Sequence, residues 1–261
     1  VRSEYLAELW SHRELLYFLA WRDVKIRYKQ AALGMSWAII QPLLTMIIFS
    51  VLFGRFAQIP SDGVPYPVFS YSALLLWMYF SVTLALAGNS LIGNANLITK
   101  VYFPRVLMPA ASALAGILDL AIGSTFLVGL MLYYRTELTW AVLLAPVFVV
   151  HLFVLALGIS MLLAAMNVKY RDVKYVIPFL TQIWMFVTPI IYPITFVPDR
   201  YQWLLALNPV TGVVEGFRAA VLGAQPVPWR VVGISWGITL LLALIGAVYF
   251  RKTERQFADV V

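Results

Sequence analysis

Apolar residues in this chain gather in long blocks, and the polar positions between them are short. Six blocks are candidate membrane spans, over residues 35–54, 69–92, 106–134, 138–166, 175–192 and 231–250. Each is about twenty residues or more, the length that crosses a hydrocarbon core of roughly 30 Å. The third and fourth exceed that need and are joined by the short "RTE", which predicts an antiparallel hairpin. A β-barrel would instead alternate apolar and polar residues over about ten positions. The pattern predicts an all-α membrane protein with six transmembrane helices.

Two regions break the block pattern. Before the first span, Leu6, Leu9, Trp10, Leu16, Tyr17, Ala20 and Val24 recur at roughly helical spacing, with Arg13 interrupting the stripe. This predicts an N-terminal amphipathic interface helix, with Trp10 and Trp21 at headgroup depth. The basic run "RDVKIRYK" is then either a topogenic flank or a surface for anionic lipid or a partner. The organisation is an interface segment over 1–34 and a single six-helix domain over 35–261.

The second region is the connection over 193–229, too apolar for a solvated loop. "FVPDRYQWLLALNP" and "VTGVVEGFRAAVLG" each read as a short amphipathic helix, and Pro209 marks a break between them. Together they predict a re-entrant helical hairpin between the fifth and sixth spans. Irregular backbone at that depth is tolerated only where protein covers it or water fills a cavity. Glu215 and Arg218, three apart, share a helical face and can pair. The hairpin is either a lid over an opening or a helix resting on the bundle. On the other side of the membrane, "IGNANLITKVYFP" predicts a short projecting helix over 94–100, or a plain turn.

Composition and charge sharpen the picture. Of 261 residues, 62% are hydrophobic and 12% charged, with mean hydropathy +0.85. The net charge of +7 does not signal nucleic acid, because the cations lie in the connections. Fourteen Lys and Arg fall on the side that carries both termini and five on the other, which predicts cytoplasmic termini. The absence of cysteine removes thiol chemistry and disulfides.

Candidate chemistry is sparse. No G-x-x-x-x-G-K-[ST] is present, so ATP hydrolysis by a P-loop is excluded. His151, mid-span, reads as a proton or metal site or as a packed, hydrogen-bonded histidine. Asp119 is costly in lipid and demands protein or water around it, as a polar lining, an interhelical hydrogen bond or a coupling carboxylate. Gly233 and Gly237 permit close helix approach, within the chain or between copies. Phe49, Phe53, Trp184, Phe186 and Tyr192 are the channel-lining candidates, while Trp37 and Trp77 also suit an interfacial belt. Pro42, Pro178 and Pro189 are candidates for kinks.

Four stretches, "YKQAALGMSWAIIQPLL", "LITKVYFPRVLMP", "MNVKYRDVKYVIPF" and "NPVTGVVEGFR", resemble the membrane subunits of ABC-2-type exporters of cell-surface polysaccharides, nearest to O-antigen permeases of the Wzm type. The resemblance implies a second copy of the chain, two ATP-binding cassette subunits, and a lipid-linked polysaccharide with a pyrophosphate at the join. ATP and Mg would bind the partner subunits, leaving no cofactor or metal on this chain and no covalent chemistry. It implies ATPase docking at Asn94, Ala95, Asn96, Leu97, Ile98, Thr99 and Lys100. It implies contact through the interface helix over 13–29, which carries Arg13, Arg22, Lys25, Arg27 and Lys29, the last two also suited to the pyrophosphate. Gate helices over 198–222 would contain Pro209, Glu215 and Arg218. The expected place is the bacterial cytoplasmic (inner) membrane. Rival readings are a teichoic acid or capsule exporter, an ion-coupled transporter using Asp119 and His151, and a membrane glycosyl transferase.

Overall fold

The computed structural model describes residues 8–29, 34–170 and 172–254. Leu6 of the predicted stripe and Arg2, Arg171 and Arg255 among the fourteen cations lie outside the described residues, as do residues 30–33 of the predicted interface segment. Among the described residues the regular structure is helical throughout.

Helix α1 (Arg13–Tyr28) is the predicted interface helix. Its packed side holds Leu16, Leu19, Ala20 and Val24, while Trp10, Tyr17, Phe18 and Trp21 remain exposed. Tyr17 was expected on the apolar stripe. Leu19 takes its place because α1 turns its aliphatic face to the bundle and leaves its aromatic face outside.

The first span begins with a 3₁₀ turn (Gly34–Ser36), continues as α2 (Trp37–Phe49) around Pro42, and ends in a π-helical stretch (Ser50–Phe56). Its wide final turns bring Gly54 against the Tyr66 ring, where a Cβ would stand 2.9 Å away. Helix α3 (Tyr66–Gly88) is the centre of the fold and is buried over most of its length. Its three tyrosines solve the problem of a phenol in an apolar interior in the same way. Tyr66, Tyr71 and Tyr79 donate to the carbonyls of Ile191, Gly123 and Ala113, at 2.8, 3.1 and 3.2 Å.

Two short helices follow, α4 (Ser90–Gly93) and α5 (Ala95–Lys100), so the projecting helix predicted over 94–100 is present. Helices α6 (Leu107–Tyr133) and α7 (Ala145–Lys169, entered through the 3₁₀ turn Trp140–Leu144) form the two long spans. Helix α11 (Trp229–Thr253) packs on α7 where Gly158 meets Ala243 and Gly246. Of the two readings of Gly233 and Gly237, close approach within the chain is not found: both face open space in the single chain.

Helix α8 (Val173–Val187) stops five residues short of the predicted span over 175–192. Fifteen residues rise only about 22 Å, too little to cross alone. Pro189 forces Thr188 into an extended conformation (φ −90°, ψ 140°), and the helix ends there. Helices α9 (Asp199–Ala206) and α10 (Pro209–Leu222) then meet at 108°, the predicted broken hairpin. Among the described residues five helical segments are thus long and apolar enough to span, with α8 and the bent pair beside them.

The buried apolar residues form two clusters. The larger is centred on α3, with α7 and α10 packed on it. The smaller joins Leu19 of α1, Ile98 of α5, Met108 of α6, Val168 of α7 and Phe250 of α11, at the end of the bundle that carries the basic connections.

Candidate functional site

The basic end is built on the smaller cluster. Ile98 anchors α5 from below, and Asn96, Thr99 and Lys100 face outward. Asn94 caps the turn by donating to the Ser90 carbonyl at 2.7 Å. The seven docking candidates therefore divide into an outward polar face and an anchoring pair, Leu97 and Ile98.

The five interface-helix cations do not act as one patch. Arg13 and Lys25 lie over the Trp10 and Trp21 rings, at 5.5 and 5.7 Å, Lys29 is exposed, and Arg22 pairs with its neighbour Asp23 at 2.9 Å. Arg27 turns inward and pairs with Asp119 of α6, which also accepts the Tyr28 hydroxyl. Burial lowers the Arg27 pKa and Asp23 opposes the effect, yet an arginine keeps its charge at any ordinary pH. The partners of Asp119 lie 91 and 92 residues away, and nothing in the sequence pattern connects them. The signal that could have been pursued is the lone carboxylate itself, which must find donors when it enters an apolar span.

Arg27, Tyr28 and Asp119 stand at one edge of a cavity of about 310 Å³. Its apolar walls include Trp37 of α2, Leu75 and Met78 of α3, and Leu120 of α6.

At the opposite end every residue of α10 is buried. Gly212 and Gly216 make this possible, since a Cβ on either would meet Ser235 or the Phe148 ring. Asn208 sets the break: its amide oxygen accepts the Val210 N–H at 3.1 Å and the Trp184 indole N–H at 2.9 Å, and its amide nitrogen donates to Thr188 at 2.9 Å. Pro209 occupies the first helical position, where a missing N–H costs nothing. Arg218 pairs with Glu215 at 3.1 Å and donates to the carbonyls of Phe69, Pro189 and Ile190. Its guanidinium also lies 3.6 Å from the Phe69 ring centroid. The carbonyls that α8 leaves unpaired where Pro189 ends it are thus satisfied by one side chain of α10. A second cavity of about 130 Å³ opens above this pair, bordered by Asp62 and Thr195.

The five aromatic candidates do not form one group. Phe49 is buried edge-to-face on Phe53, with centroids 5.3 Å apart. Trp184 is held by Asn208 and by the Phe80 ring, and Phe186 is 54% exposed. Tyr192 is half-buried, with its ring 6.4 Å from that of Phe196. His151 is stacked on Trp236 at 4.0 Å and bonds Thr239 at 2.9 Å, the packed arrangement among its two readings.

The family model described as ABC-2 type transporter matches residues 14–222, from the start of α1 to the last residue of α10. The chain belongs to the ABC-2 type transporter family. The match takes in both ends described above. The chain is 30% identical over 257 residues to the O-antigen export system permease protein RfbA of Myxococcus xanthus, covering 97% of this chain and 98% of that protein. It is 26% identical to the RfbA of Klebsiella pneumoniae over 252 residues, 95% of each. The polysialic acid transport protein KpsM of Escherichia coli is 23% identical over 247 residues, 89% of this chain and 91% of KpsM. Family membership and the apolar helices make the chain a multi-pass membrane component of a transporter.

Proposed function

We propose that this chain is the membrane-spanning subunit of an ATP-driven exporter that moves lipid-linked O-antigen polysaccharide across the bacterial inner membrane. The observation that carries this reading is the near full-length similarity to an O-antigen export permease, at 30% identity. Two copies of the chain work with two ATP-binding subunits, which bind ATP and Mg and supply the energy. Both termini lie in the cytoplasm, on the side where the cations concentrate.

The geometry supports each part. Asn96, Thr99 and Lys100 offer a polar face for a nucleotide-binding partner, on a helix held by Ile98. Helices α2 and α8 leave broad apolar faces uncovered, among them Ile48, Phe179, Ile183 and Phe186, and these suit a second copy as well as lipid. A short α8 that ends in an irregular, protein-covered segment is tolerable where it borders a passage. The hairpin α9–α10 is the gate element. Because Arg218 ties α10 to the end of α8, the gate moves with that end rather than as a free flap.

The test is co-purification of the chain with candidate ATP-binding subunits, followed by ATP hydrolysis with and without lipid-linked glycan. Stable association and glycan-stimulated hydrolysis are expected. Transport by the chain alone, driven by a proton gradient, would reject the proposal in favour of an ion-coupled carrier. Stimulation by capsular glycan but not by O-antigen would move the substrate assignment to capsule export.

A further inference from the structure

Asp119 lies twelve residues into α6, about 18 Å along the helix axis from Leu107. A carboxylate at that depth is expensive unless it is paired and hydrogen-bonded. It has two partners, and both come from the last turn of α1: Arg27 and the Tyr28 hydroxyl. One turn earlier on α1, Asp23 accepts the Ser112 hydroxyl of α6 at 2.8 Å. Three polar ties therefore run along one seam between an interface helix and a span. The aliphatic side of the same α1 shares a packed cluster with Ile98 of α5. Helix α1 thus belongs to the packed cluster that also holds the proposed docking helix, and its polar face is tied to a span.

The span side of this seam borders the 310 Å³ cavity. Gly116, on the same stretch of α6, lets the Tyr79 ring of α3 approach so closely that a Cβ would stand 3.0 Å from it. A displacement of α6 relative to α2 and α3 therefore changes the cavity directly.

We infer that Arg27, Tyr28 and Asp119 form the joint through which movement of α1 is passed to α6, so that α1 and α6 travel together and set the width of the cavity between α6, α2 and α3. The inference rests on the proposed partnership with ATP-binding subunits as the source of that movement. The three residues are positioning residues: they hold two helices in register.

The absence of cysteine allows spin labels to be placed cleanly. One pair, Tyr17→Cys with Thr125→Cys, reports the separation of α1 from α6 at two exposed sites. A second, Leu44→Cys with Thr125→Cys, reports α2 against α6 across the cavity region. Both are measured in the complete complex with and without ATP, and surface O-antigen is measured in cells.

With the native joint, ATP is expected to shift the α2–α6 distance and leave α1–α6 unchanged. Asp119→Asn loses the charge-assisted bonds and is expected to weaken the joint by about tenfold or more. Then ATP shifts α1–α6, α2–α6 stays still, and export falls about tenfold while ATP hydrolysis stays within about twofold. Arg27→Asp combined with Asp119→Arg restores the pair in reverse and is expected to recover the native distances and much of the export. An α1–α6 distance that ATP shifts equally with and without Asp119 would overturn the inference. So would full export in Asp119→Asn, or no recovery in a well-folded reciprocal exchange. Failure to assemble with an ATP-binding subunit would strike the export reading instead. The joint is then judged on the chain by itself, where Asp119→Asn broadens the α1–α6 distance distribution if the inference holds and leaves it unchanged if it fails.

Discussion

The two ends of this bundle use charge in opposite ways. At the basic end, Arg22 with Asp23 and Lys25 over Trp21 meet their partners singly and near the surface, with Arg27 on Asp119 the exception. At the other end, Arg218 gathers three carbonyls, a carboxylate and an aromatic face inside the protein. The first arrangement can be exchanged at modest cost because water or headgroups can replace a lost partner. The second has no such replacement. The basic end is therefore built to be moved, and the α10 end is built to hold its shape.

The largest effect is expected where that contrast is most direct. Arg218→Leu leaves Glu215 buried without its ion-pair partner and strands the Pro189 and Ile190 carbonyls, a loss of roughly 3–5 kcal/mol. Thermal unfolding of the purified protein should register it. Arg218→Lys should rescue little, because a single ammonium cannot reproduce a planar fork shared among carbonyls. Rescue by lysine would mean that charge alone matters and that the contrast between the ends is overstated.

A smaller loss is expected for Gly216→Ala, which drives a methyl into the Phe148 ring and costs about 1–3 kcal/mol. Gly237→Ala faces open space and should stabilise helix α11 by about 0.5–1 kcal/mol. Equal responses from the two glycines in the same unfolding experiment would contradict the packing described here.

Asn208→Ala removes the cap of α10 and the bonds to Trp184 and Thr188, a loss of about 0.5–2 kcal/mol. Trp184 fluorescence should change with it, since the indole N–H loses its acceptor.

At the basic end, Lys100→Glu on the outward face of α5 should change stability by no more than about 0.5 kcal/mol. Its effect should appear instead as weaker co-purification with an ATP-binding subunit.

The smallest effect concerns Glu254, just past α11, which accepts the Arg105 N–H at 2.9 Å. Burial raises its pKa, against the opposing pull of that N–H and of the Arg105 charge. A carboxyl with a raised folded pKa holds its proton more tightly in the native state. Stability is then lost as pH rises from the unfolded carboxyl value through the folded one. Glu254→Gln should flatten the pH dependence of unfolding in that window and leave it unchanged elsewhere.

The apolar blocks announced the spans because lipid demands about twenty apolar residues whatever the fold. Pro209 announced the break between α9 and α10 because a proline after Asn208 suits the first position of a new helix and disfavours helical geometry in the residue before it. The Glu215–Arg218 pair followed from three-residue spacing on one face. Other features had no local signature. Pro189 ends α8 locally, but the group that receives its carbonyl, Arg218, stands 29 residues later. The division of the interface cations depended on Asp119, because Arg27 looks like Arg22 until the partner helix is in place. Gly233 and Gly237 carried the close-approach spacing, but no neighbour within the chain meets them.

By itself the sequence determined that the chain crosses a membrane several times, that the stretch before the last span breaks at Pro209, and that it contains no P-loop motif. These follow from local rules: apolar length, proline geometry, and the pairing of charges a turn apart. Only the tertiary structure decided which charges are buried, that α10 is enclosed on all sides, and that an interface helix is tied to the middle of a span. Those outcomes turn on which backbone and side-chain groups lack partners in their own segment, and a missing partner is supplied only when distant segments meet.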